Sequence, residues 1–131
     1  MSIIGIGTDL VDVARVRRVL SRHGERFAGR VLVGAELERW RHHGDPGSFL
    51  ARRWAVKEAA AKAMGTGIGG ALGFHDLQVG TTRAGAPTLQ VTGQGAATAR
   101  ALGIGSWHVS ITDEGAYALA FVIAEAGSGQ R

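Results

Sequence analysis

The sequence contains no cysteine. Disulfides, thiolate metal sites and cysteine nucleophiles are therefore excluded, and carboxylates, histidines, lysines and hydroxyls remain as candidates for chemistry. No apolar run approaches the roughly 20 residues that a membrane-spanning helix requires. The first nine residues lack the basic segment of a secretory signal and end at an acid, Asp9. We therefore expect a cytoplasmic protein that does not bind a membrane.

The rest of the composition is that of one small globular domain. The chain has 131 residues, of which 45% are apolar and 20% charged, and two separate cores would be unusually small at this length. We expect a single domain over residues 1–126 and a flexible C-terminal tail over residues 127–131. The net charge of +4 indicates an anionic partner, and nucleic acids, phosphorylated small molecules and acidic proteins all meet that description.

Hydrophobic spacing predicts a first helix over residues 12–23, which Gly24 ends. Its apolar positions repeat at helical spacing and turn one face inward: Val13, Val16 and Leu20. Its arginines fall on a different face: Arg15, Arg18 and Arg22. A short helix is also predicted over residues 35–43. The longest helix is predicted over residues 48–64, with Ser48 as its N-cap and Gly65 as its stop.

The other segments are mostly strands. Strands are predicted over residues 3–7, 74–79, 87–92, 107–111 and 117–123. The first and the last are almost wholly apolar and are expected to be buried. A short helix over residues 95–102 and a turn over residues 113–115 lie between the later strands. The order indicates an α+β fold, in which a mainly antiparallel sheet packs against the long central helix and shorter helices.

Asp9, Glu58 and Lys62 stand out as candidates for chemistry. Asp9 follows the first predicted strand, where an acid either stabilises the start of the next helix or serves a site. Glu58 and Lys62 are four residues apart, a spacing that is by itself usually structural. Two carboxylates would also suffice for Mg²⁺, which completes its shell with water and phosphate oxygens. The residues alone leave both interpretations open.

Other catalytic patterns are not found. The histidines do not have the spacing of a zinc site. Ser110, His108 and Asp113 do not make a hydrolase triad, because residues two apart share one strand face without the strained turn that such nucleophiles use. The glycine-rich residues 65–70 leave a helix instead of entering one, and they lack the Lys-Ser/Thr of a phosphate-binding P-loop.

Three segments carry a resemblance to a known family. Residues 5–12 read GIGTDLVD, residues 52–68 read RRWAVKEAAAKAMGTGI, and residues 108–112 read HVSIT. In order and separation they resemble the N-terminal signature, the central helix with its loop, and the late strand of the holo-(acyl-carrier-protein) synthases, a family of 4′-phosphopantetheinyl transferases. The resemblance covers residues 3–123.

The resemblance implies an enzyme of fatty acid biosynthesis with a phosphopantetheinyl transferase-like fold. Such an enzyme transfers 4′-phosphopantetheine from its substrate coenzyme A to a serine of apo-acyl carrier protein and releases 3′,5′-ADP. The resemblance implies that Asp9 and Glu58 bind the cofactor Mg²⁺, and that Lys62 neutralises phosphate charge or assists the departing group. Either Glu58 or a metal-bound water would take the serine proton. Family members resemble one another in being homotrimers with active sites between subunits, so the same is expected here.

The resemblance also assigns residues to the two substrates. Coenzyme A is expected to contact these positions: Arg53, Lys62, Gly65, Thr66, Gly85, Pro87 and His108. Acyl carrier proteins are acidic, and the first helix carries the basic face that is expected to dock them: Arg15, Arg18 and Arg22. The chain departs from the family at Asp113, where many relatives carry a histidine.

Two other classes of function would each explain some of these residues. A basic nucleic-acid-binding module would use the arginines, but Trp40, Trp54 and Trp107 are dispersed, and no short helix has a helix-turn-helix signature. A non-catalytic oligomeric protein would leave Asp9 and Glu58 structural. We expect acyl carrier protein and coenzyme A as partners, and no nucleic acid.

Overall fold

The computed structural model describes residues 2–128. Its helices are α1 (Val13–His23), α2 (Glu25–Val31), α3 (Ala35–Arg41), α4 (Pro46–Met64) and α5 (Gly93–Ala101), with a 3-10 turn at Phe74–Asp76. Its strands are β1 (Ile3–Asp12), β2 (Leu77–Thr81), β3 (Pro87–Val91), β4 (Ile104–Glu114) and β5 (Tyr117–Ala126). Strands β1, β5 and β4 form one antiparallel sheet in that order, and β2 and β3 form a separate hairpin. The predicted α+β fold with a long central helix is confirmed.

The central helix α4 lies directly on the three-stranded sheet because two glycines of β1 carry no side chain. A Cβ at Gly5 would overlap the carbonyl oxygen of Ala63, and one at Gly7 would overlap that of Ala59. Even alanine at either glycine would push the helix away from the strand. This close approach brings Asp9, the next position on the same face of β1, beside α4.

The two faces of this sheet differ in burial. The inner face of β5 packs against α4 with small buried side chains: Ala118, Ala120, Val122 and Ala124. The outer face exposes large apolar side chains, among them Leu10 at 63% exposure, Ile6 at 54% and Phe121 at 41%. Within the single chain the prediction that the first and last strands are buried is therefore wrong for one of their two faces, because alternate side chains of a strand point to opposite faces.

Two predicted boundaries near the site are wrong by a few residues. Asp9 lies within β1, since β5 pairs with β1 as far as Asp12, where α1 follows directly. The central helix begins at Pro46, and its N-cap is Asp45 instead of Ser48. The Asp45 carboxylate accepts a hydrogen bond from the Ser48 N–H at 3.2 Å, and proline suits the first helical position because its φ is already helical.

The remaining differences concern short segments. The sequence pattern did not predict α2, whose seven residues barely complete two turns and so show little periodicity. Residues 74–76 form a 3-10 turn where a strand was expected to begin. Strand β4 continues to Glu114 because β5 pairs with it that far, so the turn consists of Gly115 and Ala116 instead of residues 113–115.

The C-terminal end of the described chain follows β5. The predicted tail begins at Gly127, whose N–H donates to the Gly103 carbonyl oxygen at 3.0 Å. Residues 129–131 of that tail lie outside the described residues. The division at residue 126 stays a prediction. Across residues 2–128, no helix combines the length and the apolar character that crossing a bilayer would take.

Candidate active site

Asp9, Glu58 and Lys62, here called the carboxylate cluster, lie where β1 meets α4. The Lys62 ammonium donates to Asp9 Oδ1 at 3.1 Å and to the Thr8 carbonyl oxygen at 2.8 Å. The Asp9 side chain is only 16% exposed, whereas the Lys62 side chain is 54% exposed. Because the Lys62 side chain is more than half exposed, solvent screens this pair and the pair contributes little to stability.

Glu58 lies one helical turn before Lys62 and interacts with the same aspartate. Burial raises the pKa of Glu58 above its usual range, the charge of Asp9 raises it further, and Lys62 partly opposes both effects. The two carboxylates therefore repel each other in a partly desolvated place. Added positive charge would relieve that repulsion.

The chemistry of the two carboxylates fits a magnesium ion. Mg²⁺ is typically held by one or two protein carboxylates, while water and substrate phosphate oxygens complete its shell. Among residues 2–128, no three His, Cys, Asp or Glu side chains converge as a metal cage. Asp9 and Glu58 would thus hold such an ion as a pair and leave most of its shell to other ligands.

A second cluster, here called the cationic pocket, has a volume of about 340 Å³. Four basic side chains line it: Arg39, His43, Arg52 and Arg53. The β2–β3 hairpin contributes another wall through Thr81, Gly85 and Pro87. The pocket therefore lies where α3, α4 and the hairpin meet, and its charge suits an anion.

Arg53 is the buried part of the cationic pocket. Its guanidinium carbon lies 4.3 Å from the centroid of the Phe49 ring, and its Nε has no hydrogen-bond partner among the described residues. Burial lowers the pKa of Arg53 to about 10, and the charge of Glu36 only partly opposes that effect. A buried cation with an unused donor is costly unless an anion pairs with it, so the arrangement favours an anionic ligand.

Arg52 and Asp113 contact each other in the lining of the cationic pocket. Arg52 Nη1 donates to Ser48 Oγ at 2.6 Å and to Asp113 Oδ2 at 3.3 Å. Asp113 thereby joins the end of β4 to α4 and adds a negative charge to the pocket lining. Asp113, the position at which the resemblance led us to expect a histidine in many relatives, is here the partner of Arg52.

His108 lies apart from both clusters. Val109 and Ile111 pack against the core, so the alternate side chains of β4, including His108, project from the outer face of the sheet. His108 Nε2 lies 3.1 Å from Glu125 Oε1, and the residue pairs across the strands with Ile123. Within one chain, His108 does not line the cationic pocket.

Gly65 and Thr66 lie at the C-terminal end of α4, just beyond Lys62. Gly65 adopts a left-handed conformation with a φ of 75°, which glycine accepts without steric cost. The Thr66 N–H bonds to the Ala61 carbonyl oxygen at 3.2 Å. The positions predicted to contact coenzyme A thus fall in three places: the end of α4, the cationic pocket and the outer face of the sheet.

The arginines predicted to dock the carrier protein lie exposed along α1: Arg15, Arg18 and Arg22. Val13 and Val16 are buried beneath them. A cleft of about 270 Å³ leads from this helix to Asp9 of the carboxylate cluster, and its lining also includes Arg15 and Trp54. A molecule docked on α1 would therefore have access to Asp9.

Comparison with known proteins identifies the family. The sequence profile of the 4′-phosphopantetheinyl transferase superfamily matches residues 5–122, a span that contains both clusters and His108. This chain belongs to that superfamily. The resemblance of the three motifs to these transferases is thereby confirmed.

The transferase is similar over nearly its whole length to holo-[acyl-carrier-protein] synthases. It is 50% identical over 126 residues to the one from Hydrogenovibrio crunogenus, with 96% of this chain and 99% of that protein covered. The solved structure from Neisseria meningitidis is 40% identical with a TM-score of 0.90, covering 95% of this chain and 99% of the other. The structure from Helicobacter pylori, in complex with coenzyme A, is 29% identical with a TM-score of 0.82, covering 92% and 99%.

Some residues in or near the clusters of this transferase were not predicted from the sequence. Lys57 and Glu36 form a buried ion pair, with Nζ and Oε1 2.8 Å apart. A signal for Lys57 was available, because Ala60 and Ala61 on the same face of the long helix predict burial, and a buried lysine requires an acidic partner. The arginines at positions 39 and 52 carry no such signal, since nothing local distinguishes them from surface arginines.

Proposed function

We infer that this transferase moves the 4′-phosphopantetheine group of coenzyme A to a serine hydroxyl of apo-acyl carrier protein and releases 3′,5′-ADP. One observation carries the inference for this chain: a single helix, α4, contributes to both the carboxylate cluster and the cationic pocket. Glu58 and Arg53 are separated by about 7.5 Å along the helix axis, at about 1.5 Å per residue. Coenzyme A carries several phosphates and would engage both sites, the metal-binding carboxylates and the arginines of the cationic pocket.

We propose that Asp9 and Glu58 hold Mg²⁺ together with phosphate oxygens of coenzyme A. The raised pKa of Glu58 and the adjacent charge of Asp9 support this, because a cation relieves their repulsion. When bound, Mg²⁺ would offset the negative charge of the pyrophosphate during transfer.

The chain's own residues would position the reactants and manage charge. The serine oxygen forms a bond to the phosphorus that carries pantetheine, while the bond from that phosphorus to the oxygen of 3′,5′-ADP breaks. We assign the serine proton to the Glu58 carboxylate, which lies at the carboxylate cluster beside Asp9. Lys62 would neutralise the departing phosphate, because its ammonium already lies at the carboxylate cluster. Arg53 and the hairpin would hold the adenosine-phosphate end.

We propose that a homotrimer completes the site. Ile6, Leu10 and Phe121 form an exposed apolar surface of a kind that monomeric proteins rarely leave open. His108 lies on the same outer face, so association there would carry it toward a neighbouring copy. Light scattering should give three copies per particle, and Phe121→Arg should dissociate them and abolish transfer. A fully active monomeric parent would contradict this proposal.

We propose that acyl carrier protein docks on α1. Arg15, Arg18 and Arg22 are exposed, and complementary charge steers an acidic protein toward them. The cleft between α1 and Asp9 then gives the carrier serine a path to the carboxylate cluster.

Mass spectrometry tests the proposed reaction directly. Apo-acyl carrier protein mixed with the transferase, coenzyme A and Mg²⁺ should gain the mass of one phosphopantetheine. The gain should disappear when the carrier serine is replaced by alanine or when coenzyme A is left out. An unchanged carrier mass under all conditions would contradict the proposed function. Cell fractionation would test the cytoplasmic location, which stays a prediction.

A further inference from the structure

Glu36 and Lys57 form an ion pair that the proposed reaction does not use. Both side chains are buried, with 1% and 0% exposure. The Lys57 ammonium donates to Glu36 Oε1 at 2.8 Å, to the Val31 carbonyl oxygen at 2.6 Å and to the Phe74 carbonyl oxygen at 3.2 Å. Since an ammonium has three N–H donors, every donor of Lys57 is used.

Both carboxylate oxygens of Glu36 are used as well. Oε1 also accepts from the Val33 N–H at 3.0 Å, and Oε2 accepts from the Val79 N–H at 2.8 Å. The pair therefore connects the end of α2, the loop before α3, α3 itself, α4, the 3-10 turn and β2.

The segments that meet at this pair also form the walls of the cationic pocket. The pair lies one turn before Arg39 on α3 and one turn after Arg53 on α4. Val79, which is bonded to the pair, lies two residues before Thr81, where the hairpin begins to line the pocket. A shift of α3 or of the hairpin relative to α4 would therefore change the shape of the pocket directly.

Stability is a weak reason for burying such a pair. Removing two charges from water costs several kcal/mol, and replacing a buried ion pair with apolar residues is often neutral or stabilising. A fully hydrogen-bonded pair, however, fixes distances and directions between segments in a way that apolar contacts do not. The contacts of Glu36 and Lys57 are therefore better suited to setting geometry than to adding stability.

We propose that Glu36 and Lys57 are positioning residues of the cationic pocket, which hold α3 and the β2–β3 hairpin against α4 at the separation that the phosphate-bearing end of coenzyme A requires. The inference rests on the proposed function, because it takes coenzyme A as the ligand of this pocket. Neither side chain reaches the ligand, so both act through Arg39, Arg53 and the hairpin.

Glu36→Gln is the sharpest test because it keeps the shape of the side chain. The amide oxygen still accepts from Lys57, but the NH₂ group that replaces Oε2 cannot accept from the Val79 N–H. We expect the KM for coenzyme A and the calorimetric Kd for 3′,5′-ADP to rise about tenfold, the cost of one lost buried hydrogen bond. The KM for acyl carrier protein and kcat should change by less than about twofold.

Two control variants distinguish a positioning role from a general loss of stability. Glu38→Gln makes the same chemical change on α3 at an exposed residue, which pairs with Arg41 on the surface, and should behave as the parent. Val122→Ala removes buried volume from β5 and should lower Tm without a selective loss of nucleotide affinity. If Glu36→Gln does not fold, Glu36→Leu combined with Lys57→Met removes both charges and should show the same selective loss.

The outcomes distinguish this inference from the proposed function. A selective rise in Kd for 3′,5′-ADP supports the positioning role, because calorimetry needs no transfer activity. Unchanged affinity in a folded Glu36 variant, or equal losses for coenzyme A and carrier protein, would overturn it. A parent that binds 3′,5′-ADP but transfers nothing would overturn the proposed function and leave the positioning of a nucleotide pocket intact.

Discussion

The carboxylate cluster and the cationic pocket lie on the same helix but are built differently. The carboxylate cluster needs only β1 and α4, which touch because Gly5 and Gly7 carry no side chain. The cationic pocket needs α3, α4, the β2–β3 hairpin and the end of β4. The first can be recognised from two short motifs, whereas the second exists only once four distant segments have packed together.

The two sites are alike in that each brings side chains of the same charge close together: Asp9 beside Glu58, and Arg39 and Arg52 beside Arg53. Burial and the charge of Asp9 raise the pKa of Glu58, and burial lowers the pKa of Arg53 to about 10. In both places a bound ligand of opposite sign would favour the charged form of the side chain. We therefore expect substitutions at the carboxylate cluster to affect transfer, and those in the cationic pocket to affect the binding of coenzyme A.

The largest effect is expected from removing a carboxylate. Asp9→Ala and Glu58→Ala should each lower kcat/KM by at least about a hundredfold, because a charged ligand near the pyrophosphate is lost. Circular dichroism should show both variants folded. Glu114→Ala, which removes an exposed carboxylate of β4, serves as the control. Near-parental turnover by either folded variant would remove that residue from the functional cluster.

A smaller loss, confined to kcat, is expected for Lys62→Ala. Charge on the departing phosphate grows in the transition state, so its neutralisation should contribute about tenfold or more to kcat and little to the KM for coenzyme A. Steady-state kinetics with both substrates measures the effect on kcat separately from the effect on KM. Unchanged kcat and KM would show that Lys62 only links α4 to β1 through Asp9 and Thr8.

Arg53→Met should change the KM for coenzyme A instead of kcat, the reverse of Lys62→Ala. The KM for coenzyme A should rise about tenfold with little change in kcat, because a cation that pairs with phosphate is lost. Methionine keeps the apolar contact with Phe49, so the ligand-free variant should melt at the same temperature as the parent or higher. A lower Tm with unaltered affinity for coenzyme A would assign Arg53 a purely structural role.

Charge reversal on α1 should affect only the carrier protein. Arg15→Glu combined with Arg18→Glu should raise the KM for acyl carrier protein several-fold and flatten its dependence on salt, since exposed charges act mainly through steering. The KM for coenzyme A should hardly move, because α1 does not line the cationic pocket. Arg100→Glu, an exposed position on α5, controls for the change in net charge. Equal losses for both substrates would contradict separate sites.

The smallest effect concerns stability and pH. Glu58 has a pKa raised above its ordinary value of 4.5, so the parent loses stability as pH rises through the raised pKa. Glu58→Gln cannot ionise and should melt a few degrees above the parent near about pH 8, with the difference shrinking toward about pH 4. Melting curves in a chelating buffer measure this. Added Mg²⁺ should stabilise the parent more than the variant, and an equal response would argue against Glu58 as a ligand.

Some of the fold and of the candidate site could be predicted because the signals are local. Apolar spacing predicted α1 to within one residue of its start and to its last residue, and alanine content predicted α4 to within two residues of its start. The motif around Glu58 led to the family, which is confirmed. The roles of Asp9, Glu58 and Lys62 stay predictions, although β1 and α4 bring these residues together.

Other features could not be predicted because they depend on which distant segments pair. Asp9 was expected beyond the strand, but its place within β1 follows from pairing with β5. The outer face of the sheet was expected to be buried, and only the position of α4 decides which face is covered. His108 belongs to a recognisable motif, yet its separation from the cationic pocket depends on the alternation of β4.

The sequence by itself determined the chemistry of this protein: a cysteine-free chain with a basic first helix, a long alanine-rich helix and carboxylates in two motifs. Those properties depend on residue types and short spacings, which are the same wherever a segment packs in the fold. The tertiary structure alone decided that Glu36 meets Lys57 and that Arg39 and Arg53 share a pocket. Such contacts join residues far apart in the chain, and only the packing of whole helices and strands determines which of them meet.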